Sequence, residues 1–142
     1  MVTIESETAL LFFGAEDGSV DKCGEDLDRK FNFMLDYKKQ NKVVGDVIRL
    51  ERRNEVLFGL IVRKKQSDAF SYCNFEKCLY ALRKMVKKDR FLYIGIEAFY
   101  ASNDTDTMDK VISVMKCVLT DPSLELYVCW PKELGHCHGE NV

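Results

Sequence analysis

Short continuous apolar runs alternate along this chain with segments of helical periodicity, and this alternation is the strongest constraint on its fold. Ala9–Phe13 is one such run and Leu57–Val62 is another, and both are typical of strands that are buried on the two faces of a sheet. Between the runs, apolar residues recur every three or four positions among charged ones, which predicts amphipathic helices. Because a strand buried on both faces needs helices above and below it, the pattern predicts an α/β domain.

The predicted elements follow the order strand, helix, hairpin, helix, strand, helix and strand. Strands are predicted at 9–13, 91–98 and 124–130, and a hairpin at 46–51 and 56–62. Helices are predicted from 27 to the Lys-rich stretch before Val43, over 71–88, and from 104–107 to a stop at Pro122. Ser71 is predicted to cap the second helix, whose inner face would carry Cys78, Leu79, Leu82, Met85 and Val86. This order predicts a mixed, mostly parallel sheet flanked by helices.

Length, charge and cysteine placement predict a single intracellular domain. The 142 residues suit one domain over 1–131, followed by a flexible polar tail over 132–142. The net charge of −2 does not favour nucleic acid or an anionic membrane, and no apolar run approaches the roughly 20 residues of a membrane span. Met1–Glu7 lacks the basic start of a signal peptide, so we expect a cytoplasmic or nuclear location with reduced cysteines.

Ligands of such sheets bind at the carboxyl ends of the parallel strands, which identifies three loops for inspection. They are 14–24, 63–72 and 98–107. The spacing of these loops and of the segments between them resembles the macro-domain family. The matching text includes Lys30-Phe31, Val44-Gly45-Asp46-Val47, Leu60-Ile61-Val62-Arg63-Lys64-Lys65 with Tyr72, the helix start at 104–111, and Leu124-Glu125-Leu126-Tyr127-Val128. The pattern runs from about residue 8 to residue 130 and is most similar to the terminal ADP-ribose protein glycohydrolase, also described as an O-acetyl-ADP-ribose deacetylase.

The resemblance implies recognition of ADP-ribose by two glycine-rich loops whose backbone N–H groups approach the diphosphate. It also implies a lysine that attacks the ribose and an aspartate that acts with it. In this chain the first loop falls on Val20-Asp21-Lys22-Cys23-Gly24 and the second on Tyr100-Ala101-Ser102-Asn103-Asp104, so most of the glycines are replaced. The implied ligand-binding residues are Gly14, Asp21, Cys23, Gly24, Ala101, Ser102 and Asn103.

The implied catalytic positions are altered as well. Arg63 stands where the resemblance implies the lysine, and Lys64 follows it; a guanidinium stays protonated and cannot do the covalent work of an amine. Lys64 could act only after a one-residue slip, which would turn its side chain to the opposite face, and the alternative is a solvated strand end. Asp104 matches the catalytic aspartate in kind, but an aspartate before a helix is also a common cap. The family's first strand has no counterpart unless Met1–Ser6 supplies a short edge strand.

Two other groups of residues were weighed as sites. His136-Cys137-His138 with Cys129 could hold a metal, but three consecutive ligands fit zinc spacing poorly, so neither a metal nor a cofactor is predicted. Seven basic residues could form a nucleic-acid surface, although the acidic pI and the lack of a recognition motif favour a solvated basic helix. These are Arg63, Lys64, Lys65, Lys84, Lys87, Lys88 and Arg90.

Two hypotheses for function follow. The first is a catalytically inactive binding module with a macro-like fold, which binds a protein partner through the old ligand cleft, because a fold can persist after its site is lost. The second is a protein that binds ADP-ribose or hydrolyses ADP-ribosyl bonds with unusual loops, in which Asp104 acts with Arg63 or Lys64.

Overall fold

The computed structural model describes residues 8–52, 55–89, 91, 93–97, 105–121, 124–129 and 137–141. They form six strands and four helices. The strands are β1 (Thr8–Ala15), β2 (Val47–Arg52), β3 (Glu55–Arg63), β4 (Tyr93–Glu97), β5 (Glu125–Cys129) and β6 (Cys137–Asn141). The helices are α1 (Lys22–Phe31), α2 (Met34–Lys39), α3 (Tyr72–Asp89) and α4 (Thr105–Leu119). Along the chain they follow the order β1, α1, α2, β2, β3, α3, β4, α4, β5 and β6.

All six strands join one sheet in the order β2-β3-β1-β4-β5-β6. The four inner strands are parallel, whereas β2 pairs antiparallel with β3 and β6 pairs antiparallel with β5. The predicted mixed, mostly parallel sheet flanked by helices is therefore confirmed, as is the hairpin of β2 and β3. Both outer strands run against the inner ones, and the carboxyl ends of β1, β3, β4 and β5 share one edge of the sheet.

Two hydrophobic cores lie on the two faces of the sheet, as the alternating side chains of its strands require. Leu11 and Phe13 of β1 face the core under α3 and α4, and Phe12 faces the core under α1 and α2. The same division runs along β3, whose residues from Val56 to Val62 are all buried. The predicted inner face of α3 is confirmed, and Ser71 caps this helix by accepting a hydrogen bond from the Asn74 N–H at 3.2 Å.

The predicted single helix from Leu27 to the Lys-rich stretch before Val43 is wrong, because two helices meet within it. Asn32 adopts a left-handed conformation, with φ 53°, and ends α1. Asp28 then accepts hydrogen bonds from the N–H groups of Phe33 at 2.9 Å and Met34 at 3.0 Å, which starts α2. The break rotates the next residues, so Phe33 is fully buried while Leu35, predicted to face inward, is 78% exposed.

The prediction of a flexible tail over 132–142 is corrected by β6. Cys137–Asn141 pairs along the whole of β5, with Glu125 opposite Asn141 and Cys129 opposite Cys137. The polar sequence of this segment does not predict a strand, because an edge strand is held by backbone hydrogen bonds and needs no apolar pattern of its own. Residues 1–7, including the proposed edge strand at Met1–Ser6, lie outside the described residues, and the boundary of the domain at residue 131 stays a prediction.

Candidate functional site

The ends of β1 and β3 and the loop after β1 form one corner of the molecule. Hydrogen bonds tie this loop to the end of β3: the Glu16 N–H donates to the Arg63 carbonyl at 2.9 Å and the Asp17 N–H to the Lys64 carbonyl at 3.3 Å. The loop then folds back, and Val20 forms a bridge with Gly14. Two of the three loops identified from the sequence, 14–24 and 63–72, therefore lie against each other.

Gly14 and Tyr37 determine the shape of that loop. The Tyr37 ring is fully buried and its hydroxyl donates to the Ser19 carbonyl at 3.1 Å. A Cβ atom on Gly14 would lie 2.0 Å from the Tyr37 hydroxyl oxygen, a distance that no real contact allows. Gly14, predicted to bind a ligand, is thus required here because Tyr37 occupies the space above it.

Asp21 caps α1 at the point where the resemblance implies a glycine loop. Its backbone is extended, and one carboxyl oxygen, Oδ1, accepts hydrogen bonds from the N–H groups of Gly24 at 2.9 Å and Phe13 at 3.4 Å. Burial raises the pKa of the Asp21 carboxyl to about 6, against the lowering effects of those two N–H groups and of the Arg63 charge. An acid with such a pKa changes its charge near neutral pH.

Cys23 and Gly24 are both buried in the packing of α1 against the sheet. The Cys23 thiol lies 3.5 Å from the Leu11 carbonyl oxygen, and a Cβ atom on Gly24 would lie 2.6 Å from the Val20 Cβ. The lack of a side chain at Gly24 therefore lets α1 pack closely against Val20. The Gly24 N–H already donates a hydrogen bond to the Asp21 carboxyl. The predicted role of Cys23 and Gly24 in binding a ligand stays a prediction.

Arg63 ends β3 and is held in place by two neighbours. Its Nε donates to the Asp68 carbonyl at 3.0 Å, and its guanidinium lies 5.6 Å from the centre of the Phe70 ring. Its Nη1 is buried and has no hydrogen-bond partner among the described residues. Lys64, by contrast, is exposed, so the strand presents the arginine and not the lysine to the interior.

The charges of Asp21 and Arg63 act on each other, but no ion pair joins the two side chains. The Nη1 of Arg63, without a partner among the described residues, is an unusual feature, because buried donors are nearly always satisfied. Sequence reasoning found both residues but not their supports Tyr37 and Asp68, because Tyr37 lies far from them in sequence and Asp68 belongs to no motif.

Asp104, Ala101, Ser102 and Asn103 all lie outside the described residues, as does His136 of the candidate metal group. Among the described residues, no cluster of three or more His, Cys, Asp or Glu side chains could hold a metal ion. The helices in the described part of the chain include none with the length and apolar character to cross a membrane.

The basic residues considered as a possible nucleic-acid surface are divided by the fold. Lys64 and Lys65 directly follow the carboxyl end of β3, in the segment that leads to α3. Lys87 and Lys88 lie in the last turn of α3, a helix of 18 residues. A helix of that length spans about 27 Å. The two basic groups are therefore separated by the length of α3, and Arg63 is turned inward.

A groove of about 590 Å³ lies on the outer side of the loop after β1. It is lined by that loop, α1, α2 and Gln66, and it presents side chains of both signs, among them Asp17, Glu25, Arg29 and Lys38. Neither Asp21 nor Arg63 is among the residues that line this groove.

Comparison with known structures identifies the fold. The macrodomain of Thermus aquaticus DarG superimposes with a TM-score of 0.73 over 87% of this chain and 89% of that chain, at 18% sequence identity. The macrodomain of Mycobacterium tuberculosis DarG matches with a TM-score of 0.68 over 87% and 88%, at 12% identity. No family model matches the sequence, and no curated protein matches it.

The protein thus has the macro-domain fold, as the resemblance implied. A further similar structure is Thermosipho africanus DarTG, solved in complex with ADP-ribose, which matches with a TM-score of 0.69 and 12% identity over 90% of this chain and 39% of that one. At such identities the likeness is one of fold.

Proposed function

We propose that this protein is a non-catalytic binding module that recognises the ADP-ribosyl group through the corner formed by β1 and β3. The observation that carries the proposal is the Nη1 of Arg63, which is buried and has no hydrogen-bond partner in the part of the chain that the structure describes. A buried guanidinium donor without a partner is costly unless something occupies it, and anionic oxygens are its best partners. The solved complex of the Thermosipho protein with ADP-ribose supports this choice of ligand.

The orientation of β3 argues against covalent attack by a lysine on the ribose. Attack on a ribose by this mechanism needs an amine that can lose its proton, and the side chain turned inward is Arg63. Lys64 is exposed and follows the last residue of the strand, so it lies on the other face of the backbone. We therefore expect the ligand to be bound and released unchanged.

Arg63 suits binding better than a lysine would. Its guanidinium is always charged, and the Asp68 carbonyl and the Phe70 ring hold its plane before a ligand arrives. A preorganised donor loses little rotamer freedom when it binds, which favours affinity. The site therefore has the properties of an anion anchor.

The proposal is tested by calorimetric titration with ADP-ribose. We expect Arg63→Ala to weaken binding by about 10- to 100-fold, as for the loss of a hydrogen bond from a charged group. Lys64→Ala is the matched control, because it removes an exposed cation one residue away, and it should change the affinity by less than about threefold.

Two results would contradict the proposal. An Arg63→Ala variant that binds ADP-ribose as well as the parent protein would remove Arg63 from the site. Hydrolysis of an ADP-ribosylated substrate that is lost in Lys64→Ala would show instead the hydrolase that the sequence left as an alternative.

A protein partner is the second candidate ligand. Three large apolar side chains are exposed on the described surface: Leu35 by 78%, Val43 by 59% and Tyr80 by 53%. Leu35 lies in the first turn of α2 and Val43 lies in the segment after that helix, and exposed apolar groups often mark contacts between proteins. No heat with ADP-ribose at millimolar concentration, together with a partner whose binding is lost in Leu35→Ser, would favour this candidate.

A further inference from the structure

We propose that Cys129 and Cys137 are a reversible modification site, a pair of thiols that a small disulfide of the glutathione class oxidises to a cross-strand disulfide. The bond joins β5 to the outer strand β6 and holds β6 on the sheet. The inference concerns the edge of the sheet at β6, and it is independent of the function proposed for the corner of β1 and β3.

The register between β5 and β6 brings the two cysteines together. The strands run antiparallel, and Cys129 pairs directly with Cys137. Directly opposed residues of an antiparallel pair have Cα atoms about 4.5–5.5 Å apart and share one face of the sheet. Disulfides join cysteines whose Cα atoms are about 4.4–6.8 Å apart, so this register position allows the bond without movement of either strand.

The face of the sheet on which the pair lies is partly open to solvent. Residues alternate between the two faces along β5: Leu126 is fully buried in the core under α3 and α4, whereas Glu125 and Tyr127 are half-buried. Cys129 belongs to the face of Glu125 and Tyr127, and Cys137 shares that face through its pairing with Cys129. A small oxidant can therefore approach the pair from this side.

The same register separates the cysteine pair from the histidine that follows it. His138 pairs with Val128, so it belongs to the other face of the sheet. Structural zinc sites need four ligands around one point, and the described members of the candidate metal group are divided between two faces. Two cysteines at one register position therefore suit oxidation better than metal binding.

The other four cysteines have free thiols and are not placed to pair with one another. Cys23 and Cys78 are buried in the two cores, on opposite faces of the sheet. Cys73 and Cys117 are exposed, in the first turn of α3 and the last turn of α4. Each of these helices connects two parallel strands, so they run in the same direction and the two thiols lie at opposite ends of the layer.

The oxidation takes place by two thiol–disulfide exchanges. The thiolate of one cysteine attacks oxidised glutathione, forms a mixed disulfide and releases one glutathione thiolate. The second cysteine thiolate then attacks the protein sulfur of the mixed disulfide and releases the other glutathione. The two protein thiols lose two electrons and two protons, and the two glutathione thiols gain them. Because exposed disulfides are readily reduced, the exchange runs backwards when reduced glutathione is in excess.

The bond acts on the strand that depends most on a single neighbour. β6 is an outer strand of the described sheet, and its place in the strand order gives it β5 as its neighbour. Outer strands open locally more readily than central ones, and a disulfide that closes the short loop between β5 and β6 restricts the open state. Oxidation therefore keeps the edge of β5 covered, and reduction allows β6 to open.

The experiment equilibrates the full chain with an excess of oxidised or of reduced glutathione, and then maps the cysteines by alkylation and mass spectrometry. We expect a disulfide between Cys129 and Cys137 of one chain in the oxidised sample. Amide hydrogen exchange in β6 should then be at least about tenfold slower than in the reduced sample. Cys129→Ser and Cys137→Ser should each lose this slowing. Cys117→Ser removes an exposed thiol outside the pair, and as the control it should keep the slowing.

Three results would overturn the inference. The first is free thiols at both Cys129 and Cys137 under conditions in which the exposed Cys117 already carries glutathione. The second is a disulfide from either cysteine of the pair to another cysteine or to a second chain. The third is unchanged hydrogen exchange in β6 after the bond has formed. None of these measurements uses ADP-ribose, so their outcome is separate from that of the proposed function.

Discussion

Gly14 and Tyr37 show how one missing side chain can determine the position of a loop. The Tyr37 ring packs against Phe12 and Phe33 in the core under α1 and α2, and its hydroxyl passes over Gly14 to reach the Ser19 carbonyl. The ring can take this path only because residue 14 has no Cβ. The loop that precedes Asp21 is therefore held by a contact between α2 and the end of β1.

We predict a strong coupling between substitutions at these two positions. Gly14→Ala should lower the free energy of unfolding by about 1–3 kcal/mol through steric overlap, and Tyr37→Phe by about 1 kcal/mol through loss of the hydrogen bond. In the double variant the clashing hydroxyl oxygen is absent. Its loss of unfolding free energy should therefore be smaller than the sum of the two single losses by about 1 kcal/mol, measured by urea denaturation. Additive losses would show that the hydroxyl does not lie over Gly14.

At the scale of elements, Asp28 connects α1 with α2. Its Oδ1 accepts two N–H groups, those of Phe33 and Met34, which would otherwise have no partner at the start of a short helix. The left-handed Asn32 between the helices makes the reversal, a conformation that asparagine tolerates better than most residues. This junction brings Phe33 and Tyr37 into the core, so it indirectly positions the loop of the site.

We expect Asp28→Ala to lower the free energy of unfolding by about 1–2 kcal/mol, measured by urea denaturation. The matched control is Asp26→Ala on the same helix, whose carboxylate pairs only with Lys22 and Arg29 at the surface. Such pairs contribute little, so the control should change stability by less than about 0.5 kcal/mol. Equal effects in the two variants would mean that Asp28 is not a cap.

At the scale of the whole molecule, the two outer strands of the described sheet are both antiparallel to their neighbours. β2 covers the outer edge of β3, and β6 covers the outer edge of β5. An uncovered strand presents a row of unpaired backbone groups that can pair with another chain. The C-terminal segment therefore protects the parallel centre of the sheet.

Shortening the chain tests this role of β6. A chain that ends after residue 136 should show faster amide hydrogen exchange in β5, a lower melting temperature and more self-association than the full chain. A chain that lacks only Val142 is the control and should behave as the full chain does, because β6 ends at Asn141. Unchanged exchange in β5 would show that β6 does not stabilise this edge.

Much of the fold could be predicted locally. Continuous apolar runs such as Leu57–Val62 predict strands buried on both faces, and the spacing of Cys78, Leu79 and Leu82 predicts the inner face of α3, because period and burial are written into neighbouring residues. The order of these elements then leaves few topologies open, so the mixed, mostly parallel sheet followed as well. The replacement of the implied lysine by Arg63 was visible in the same way, since residue type alone decides what chemistry is available.

Other features depended on contacts between distant segments. The break at Asn32 requires Asp28 to cap the next helix, and β6 forms because β5 offers it backbone partners, so neither has an apolar pattern that could reveal it. The pKa of Asp21 and the hydrogen bonding of Arg63 also depend on contacts between distant segments. The pKa of Asp21 is raised by its burial, and the Nη1 of Arg63 is buried without a hydrogen-bond partner among the described residues. Both are properties of surroundings that only the tertiary structure assembles.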